Sequence, residues 1–425
     1  MVKLREEKEH TEHKPIVRAK LPPRVYIPLS QHFGKPCTPE VKVKDVVRVG
    51  QRIASADSGL YAPIHASISG AVVAIQDYAH PALGGQKAVV IESDGKDDLN
   101  AFPLKPQAEV DRLSVEEIRK IIFEAGMVGL GGAAFPTHIK LTPPKPITHF
   151  ILNGAECEPY LTTDSRMMIE KASEIVRGIQ LITKILKDAE IIIAIEDNKA
   201  EAIEVIKKAI SGTNFRLKIL KTQYPQGGEK QLIQSVLKKE VPSGGLPFDI
   251  GVVVQNVGTA FAIYEAVYKN KPLIERVVTL TGSPLSNPGN FLARIGTPVS
   301  VLLEECGPLK EEIAKVVFGG PMMGIAQYTL EVPIIKSTSG IIFFSAKEIN
   351  VREDRVCCRC GRCIDVCPAR IMPAMIGMAA EKERFDIAAT YDVFDCIECG
   401  LCSYICPAKR DLVHLIKYAK TRVKK

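Results

Sequence analysis

The sequence predicts a multidomain α/β protein, and three observations along the chain lead to that prediction. Short strands bounded by Gly and Pro fill residues 21–95, which is typical of a small β-sandwich or barrel. Buried strands alternate with amphipathic helices from residue 114 to about 270, which predicts a Rossmann-like α/β domain. A cysteine-rich module follows after residue 348. A length of 425 residues is ample for several domains of this kind.

Composition excludes several classes of protein. Hydrophobic residues make up 46% and charged residues 25% of the chain, as in ordinary globular proteins. Residues 1–20 are highly charged and contain no apolar core, so no secretory signal is expected there. No apolar run is long enough to span a bilayer, which predicts a soluble or peripheral protein. The chain has no Trp and no basic motif interleaved with aromatic residues, so no nucleic-acid partner is expected.

The first β-rich region has a recognisable pattern. Its run V-K-x-x-D-x-V-x-x-G-Q over residues 41–51 is followed by A-P-x-H-A and S-G-x-V, and this pattern resembles the biotinyl and lipoyl carrier sandwiches. Those carriers display a lysine at a hairpin tip, but residues 55–61 contain none. The region therefore predicts a barrel-sandwich hybrid that docks rather than one that carries a swinging arm.

The central region predicts a mostly parallel sheet covered by helices. Ser114 and Glu117 form a capping-box pattern that opens an amphipathic helix. Residues 191–195 form a fully apolar strand, and a single helix is expected over residues 168–186. Because ligands of such sheets bind beyond the carboxyl ends of the strands, the loops at that edge are the candidates for a site.

Four glycine-bearing polar loops follow predicted strands or open helices in this region. They cover residues 126–137, 153–159, 224–230 and 255–259. Glycines let backbone amides approach an anion closely, although each loop alone is equally typical of a tight turn. Four such loops at one sheet edge favour a cofactor site over four separate turns.

Near the C-terminus the pattern C-x2-C-x2-C-x3-C-P occurs twice, and it is the run that binds cubane iron–sulfur clusters. The fourth cysteine of each run ligates the other cluster in two-cluster ferredoxins. A pair of zinc sites is the alternative, but zinc motifs rarely show this spacing, proline and tandem copy. The predicted ligand sets are Cys357, Cys360, Cys363 and Cys406 for one [4Fe-4S] cluster, and Cys396, Cys399, Cys402 and Cys367 for the other.

The remaining cysteines, Cys37, Cys157, Cys306 and Cys358, are scattered and do not form a disulfide pattern. We expect Cys157 to be a buried thiol and Cys358, which lies inside the first run but off register, to be a packed or capping thiol.

The loops carry a resemblance to a known family. GLGGAAFPTHIKL, NGAECEP, YPQGGEK and QNVGT are similar to the flavin loops of the NADH-oxidising subunit of respiratory complex I, and residues 281–307 are similar to the β-grasp domain that follows there. With the other modules added, the chain resembles the RnfC subunits of Rnf electron-transport complexes. The resemblance implies a charged N-terminal segment (1–20), a barrel-sandwich domain (21–105), a Rossmann-like flavin domain (112–272), a β-grasp (SLBB-like) domain (273–345) and a double [4Fe-4S] ferredoxin-like domain (348–425).

The same resemblance implies FMN as a cofactor and NADH as the substrate, besides the two [4Fe-4S] clusters. No side-chain acid or base is expected to act in catalysis. Phe135 is implied to be an aromatic wall for the nicotinamide nucleotide. The other residues implied at the flavin are Gly129, Gly131, Gly132, Lys140, Asn153, Glu156, Glu158, Gly228, Glu229 and Asn256.

The sequence departs from the complex I loops at four positions: Leu130, Ala134, Ala155 and Gly228. Family membership implies a peripheral subunit on the cytoplasmic side of the membrane that works with membrane subunits and a ferredoxin-facing iron–sulfur subunit. Two alternatives remain at this point. One is a soluble flavin and iron–sulfur reductase of the cobalamin-reductase type, and the other is a cluster-bearing adaptor without catalytic activity.

Overall fold

The computed structural model describes residues 1–97, 102–349 and 356–424. The predicted first and fourth domains each include residues outside these ranges, at 98–101, 350–355 and 425. Across the described ranges, we find no helix with the length and apolar character needed to cross a membrane.

The first domain is the predicted barrel-sandwich hybrid. Alternating side chains such as Val25, Ile27 and Ile53 fill its core, and complete burial of each contributes about 1.5–3 kcal/mol. One sheet has the order β2-β8-β7-β4 and the other β3-β5-β6. The strands are β2 (Arg24–Pro28), β3 (Thr38–Pro39), β4 (Val46–Val47), β5 (Arg52–Ser55), β6 (Ile64–His65), β7 (Gly70–His80) and β8 (Gly84–Ser93).

The second domain is a parallel four-stranded sheet with the order β11-β10-β9-β12. Its strands are β9 (His149–Gly154), β10 (Glu190–Glu196), β11 (Arg216–Leu220) and β12 (Val252–Asn256). The carboxyl ends of all four strands lie at one edge, where three of the four polar loops leave the sheet. The Rossmann-like prediction is confirmed.

Helices α1 to α8 belong to this second domain. The predicted capping box at Ser114 and Glu117 is present, but the single helix expected over residues 168–186 is two helices that meet at Lys171. Gly178 lets α5 approach α8 closely, because an added Cβ would lie 2.0 Å from the Ala260 carbonyl oxygen. The helices are α1 (Gln107–Asp111), α2 (Val115–Glu124), α3 (Thr137–Lys140), α4 (Thr163–Glu170), α5 (Ala172–Leu186), α6 (Ala200–Ala209), α7 (Glu229–Leu237) and α8 (Val257–Lys269).

The third domain is built on a six-stranded mixed sheet with the order β1-β14-β13-β17-β15-β16. Its edge strand comes from the charged N-terminal segment, in which no strand pattern is evident. Strand β1 pairs in parallel with β14. The elements are β1 (Ile16–Arg18), β13 (Glu275–Thr281), β14 (Gly289–Arg294), helix α9 (Val299–Leu303), β15 (Lys315–Phe318), β16 (Ile325–Gln327) and β17 (Gly340–Phe344).

The fourth domain is a helical module in which each half repeats the other. A cysteine run with a short helix and then a longer helix occurs twice, and α11 packs against α14. Ile376, Ala388 and Ile416 are among the residues of its small core. The helices are α10 (Arg362–Asp365), α11 (Pro373–Glu381), α12 (Phe385–Thr390), α13 (Leu401–Ile405) and α14 (Leu412–Arg422).

Candidate cofactor sites

The first glycine loop turns back on itself and presents an open tip at the sheet edge. Gly129 N donates to Phe135 O (2.9 Å), which closes the loop. At Gly131 an added Cβ would lie 3.4 Å from the Asn256 Cβ, whereas at Gly132 it would meet no atom within 4 Å. Gly132 has φ +106°, a conformation that favours glycine. The tip therefore leaves backbone free to face a ligand.

Ala134 is one of the departures from the complex I pattern, and it adopts φ 48°. A non-glycine residue in this left-handed region costs about 1–2 kcal/mol. The chain accepts that strain so that the loop keeps the turn that glycine makes more easily elsewhere.

Two asparagines at the ends of β9 and β12 tie the loops together. Asn153 Nδ2 donates to Gly227 O (2.9 Å), which joins the second loop to the third. Asn256 Nδ2 donates to Asp164 Oδ2 (2.6 Å), and its Oδ1 accepts from the backbone amide of Gly258 (2.8 Å). Both amide side chains thus position loop backbone at the predicted site.

Glu156 is engaged by protein groups. Its carboxylate accepts from the backbone amides of Asp164 (2.8 Å) and Ser165 (3.4 Å), where α4 begins. Lys8 Nζ lies 3.9 Å from Glu156 Oε2 and donates to the Glu156 carbonyl. A carboxylate at a helix N-terminus is favourable because it satisfies free amides. The Glu156 side chain therefore supports α4, and its predicted role beside the flavin is not a direct contact that the structure displays.

Asp164 and Glu196 are buried near Glu156. Burial first, and the charge of Glu156 second, raise the pKa of Asp164 to about 7. Burial likewise raises the pKa of Glu196 to about 7, although Lys8 and Lys199 oppose that shift. Sequence reasoning missed Lys8 and Asp164, because neither residue lies in a motif and both act on loops far away in the chain.

Glu158 faces the third domain. Its carboxylate accepts from the amides of Met322 (3.1 Å) and Met323 (3.0 Å), and the Tyr224 hydroxyl lies 3.2 Å away. Burial raises the pKa of Glu158 to about 7 against the lowering effect of these hydrogen bonds. An added Cβ at Gly320 would lie 1.9 Å from Glu158 Oε2, so the third domain closes tightly over this side chain. Glu158 joins two domains in this structure.

Lys140 and Glu229 bring the first and third loops together as an ion pair of 2.5 Å. Both side chains are partly exposed, so they are accessible to a ligand at this edge. Gly228 is the N-cap of α7, with no side-chain cap of its own. The amides at the start of α7 are therefore available to an anion.

The two cysteine runs adopt matching backbone turns. Arg359 and Gly361 in the first run have φ of 56° and 77°, and Glu398 and Gly400 in the second have 58° and 77°. These turns wrap each run around its own centre.

The thiols form two groups that each draw one cysteine from the other run. Cys367, Cys396, Cys399 and Cys402 line one cavity. Burial, and then the charges of Cys396 and Cys367, raise the pKa of Cys399 to about 11. Cys363 lies near Cys357 and Cys406, whose charges add to the effect of burial and raise its pKa. This grouping agrees with the predicted ligand sets.

The second run lies against the flavin-loop domain, whereas the first run is open to solvent. The Tyr224 hydroxyl donates to Cys399 O (2.7 Å), and an added Cβ at Gly400 would lie 2.5 Å from Met322 O. Cys360 and Cys358 are exposed. The expectation of a packed Cys358 thiol is therefore wrong, because the turn at Arg359 directs this part of the run outward.

Comparison with known proteins agrees with this architecture. Residues 2–96 match the RnfC barrel sandwich hybrid domain, and 122–265 match the Nuo51 FMN-binding domain. Residues 277–326 match the SLBB domain, and 349–407 match a 4Fe-4S dicluster domain. The first match extends through the charged N-terminal segment, which the sequence pattern alone had separated from the barrel-sandwich domain.

Two curated relatives are similar over nearly their whole length. The RnfC-type component of the proton-translocating ferredoxin:NAD(+) oxidoreductase complex of Clostridium ljungdahlii is 48% identical over 97% of this chain and 91% of its own length. Its counterpart in the Na(+)-translocating complex of Acetobacterium woodii is 43% identical over 98% of this chain and 94% of its own. The chain belongs to the RnfC family. The counterpart in the ion-translocating oxidoreductase complex of Serratia proteamaculans is 42% identical, but the chain covers 54% of that longer protein.

A solved NAD+-reducing [NiFe]-hydrogenase shares the fold over 75% of this chain and 65% of its own, with a TM-score of 0.52 and 18% sequence identity. This RnfC family member therefore has an FMN-binding domain and a [4Fe-4S] dicluster domain joined in one chain.

The residues at the sheet edge fit FMN. Gln226 Nε2 and Gln255 Nε2, in the third and fourth loops, are buried without a hydrogen-bond partner among the described residues. Two unpaired donors, the open amides of the glycine tip and the Lys140 cation match a ligand rich in acceptors and phosphate. The thiol groups likewise fit [4Fe-4S] clusters, since thiolates are the donors that these clusters prefer.

Proposed function

We propose that this chain is the peripheral electron-input subunit of an Rnf-type complex on the cytoplasmic side of the membrane. It exchanges electrons between NADH and ferredoxin, together with membrane subunits that couple the exchange to ion movement and a ferredoxin-facing iron–sulfur subunit. The contact of the Tyr224 hydroxyl with Cys399 O carries this proposal, because it joins a flavin loop to a cluster run. The names of the closely similar proteins support the same assignment.

Specific residues hold the cofactors in this proposal. Gly129, Gly131 and Gly132 approach the phosphate and ring of FMN with their backbone, and Lys140 supplies the positive charge. Asn153, Gly228, Glu229 and Asn256 shape the other side of the site, and Glu156 and Glu158 support it from behind through α4 and the third domain. When bound, FMN supplies hydride acceptance from NADH and release of single electrons, which the clusters carry one at a time.

The chain's own contribution is orientation. Tyr224 and Met322 hold the site of Cys367, Cys396, Cys399 and Cys402 against the flavin domain, so we assign the inner position to that site. The site of Cys357, Cys360, Cys363 and Cys406 has its Cys360 exposed and is assigned to the partner-facing side. Burial of the inner site keeps water away from the transferring groups.

An anaerobic NADH titration of the cluster-reconstituted protein with added FMN tests the proposal. Flavin bleaching and the electron paramagnetic resonance of the clusters are followed together. We expect bleaching and then a reduced-cluster signal. Clusters that respond to dithionite but never to NADH would contradict the proposal and indicate a relay or adaptor.

A further inference from the structure

An exposed aromatic ring from the first domain lies beside the flavin loop. Phe33 is 64% exposed, although an aromatic side chain usually gains by burial. Its ring centroid lies 6.0 Å from that of Phe135, with 25° between the ring planes. Phe135 belongs to the second domain, so two domains contribute to one aromatic surface.

The loop that carries Phe33 is held firmly in place. Phe33 N donates to Ala134 O (3.1 Å), a direct link to the glycine loop. His32 Nε2 lies 3.0 Å from Lys35 O, and Lys35 N donates to Leu60 O (2.8 Å). Gly34 adopts φ +126°, and an added Cβ there would lie 2.0 Å from Leu60 O. The Phe33 ring is thus displayed by a built turn rather than by a loose loop.

The surface lies next to the tip of the glycine loop. Residues 131–133 are exposed and follow closely before Phe135, which is half-buried. A dinucleotide whose nicotinamide meets the flavin inside the site has its second base further out. A planar base at that outer position meets the exposed face of Phe33.

We propose that Phe33 and Phe135 form a stacking platform for the adenine base of the dinucleotide, an inference that depends on the proposed function. The rings are too close for a base to enter between them, so the base stacks on the solvent-facing side of Phe33. The barrel-sandwich domain, which lacks a carrier lysine, thereby supplies a substrate-specificity residue.

The test compares Phe33→Ala with Phe33→Tyr in the full protein. Loss of base stacking on an aromatic side chain corresponds to a change of about 5- to 150-fold in affinity. Phe33→Ala should raise the KM for NADH and the Kd for ADP-ribose by such a factor, while kcat at saturating NADH is retained. Phe33→Tyr should restore both constants. Reduced nicotinamide mononucleotide, which has no adenine, should keep its KM in every variant.

Tyr328→Ala is the control, because Tyr328 is 74% exposed and lies in the third domain. It should leave all constants unchanged. An unchanged Kd for ADP-ribose in Phe33→Ala with full FMN content would overturn the platform, and so would an equal rise in KM for reduced nicotinamide mononucleotide. ADP-ribose binding is measured without turnover. Failure of the protein to oxidise NADH would therefore refute the proposed function while the platform is still tested.

Discussion

Replacing Tyr224 by phenylalanine should loosen the contact between the flavin domain and the inner cluster run. The hydroxyl donates to Cys399 O at 2.7 Å and lies 3.2 Å from Glu158 Oε1. A phenol carries one proton, so it donates to one of these oxygens at a time. The shorter contact to the Cys399 carbonyl is the one that the substitution removes without replacement.

The cost follows from burial. A buried carbonyl left without a donor costs about 1–3 kcal/mol, which corresponds to a change of roughly 5- to 150-fold in the ratio of closed to open interface. The amides of Met322 and Met323 lie at this interface and donate to Glu158. Their hydrogen exchange, measured by mass spectrometry, should accelerate by that factor wherever exchange needs the interface to open.

Tyr404→Phe is the matched control, since Tyr404 lies in the cluster domain and is 53% exposed. It should leave exchange at the interface unchanged. In Tyr224→Phe, reduction of the clusters by NADH should slow while flavin bleaching keeps its rate. Wild-type exchange at Met322 and Met323 in Tyr224→Phe would refute the reasoning, because the hydroxyl would then contribute nothing to docking.

Three further predictions concern the cofactors and pH. Cys399→Ser should remove the inner cluster and leave flavin reduction by NADH intact, as iron content and flavin absorbance would show; loss of FMN would contradict the separation of the two sites. Gly131→Leu should empty the flavin site and spare both clusters, because an added Cβ already lies 3.4 Å from the Asn256 Cβ, whereas Gly85→Leu, where a Cβ meets no atom within 4 Å, should keep full FMN content. Burial raises the pKa of Glu158 from 4.5 to about 7, so the folded protein holds a proton that the unfolded chain loses in that window. The stability that this group contributes therefore falls as pH rises from 4.5 toward 7, and Glu158→Gln should flatten the decline of the thermal midpoint; an unchanged slope would place the titration elsewhere.

Sequence patterns predicted the features that local chemistry dictates. The tandem cysteine spacing specifies which thiols a turn can gather, and the two groups around Cys399 and Cys363 follow it. The capping box at Ser114 also forms as predicted, because its partners are three residues apart. Alternating hydrophobic strands likewise identified the barrel-sandwich and parallel sheets.

Features that depend on distant partners were not predictable in the same way. The N-terminal segment reads as a charged tail, yet Lys8 is buried against Glu156 and residues 16–18 complete the third-domain sheet. The loop motif containing Glu156 and Glu158 indicated carboxylates at the site. A motif does not say which way a side chain turns, and both carboxylates turn toward protein groups. Phe33 lies in no motif, and only the packing of two domains reveals it.

Three other parts of the chain meet at Tyr224. Val2 exchanges two backbone hydrogen bonds with Tyr224, of 2.9 and 2.7 Å, so the N-terminal segment fixes its main chain. Its hydroxyl reaches Cys399 of the fourth domain and lies near Glu158, which the third domain holds through Met322. Electron transfer between separate domains needs a constant distance, and a residue held from both its backbone and its hydroxyl provides one. The ordering of the N-terminal segment over the flavin domain therefore follows from the need to hold the inner cluster site in place.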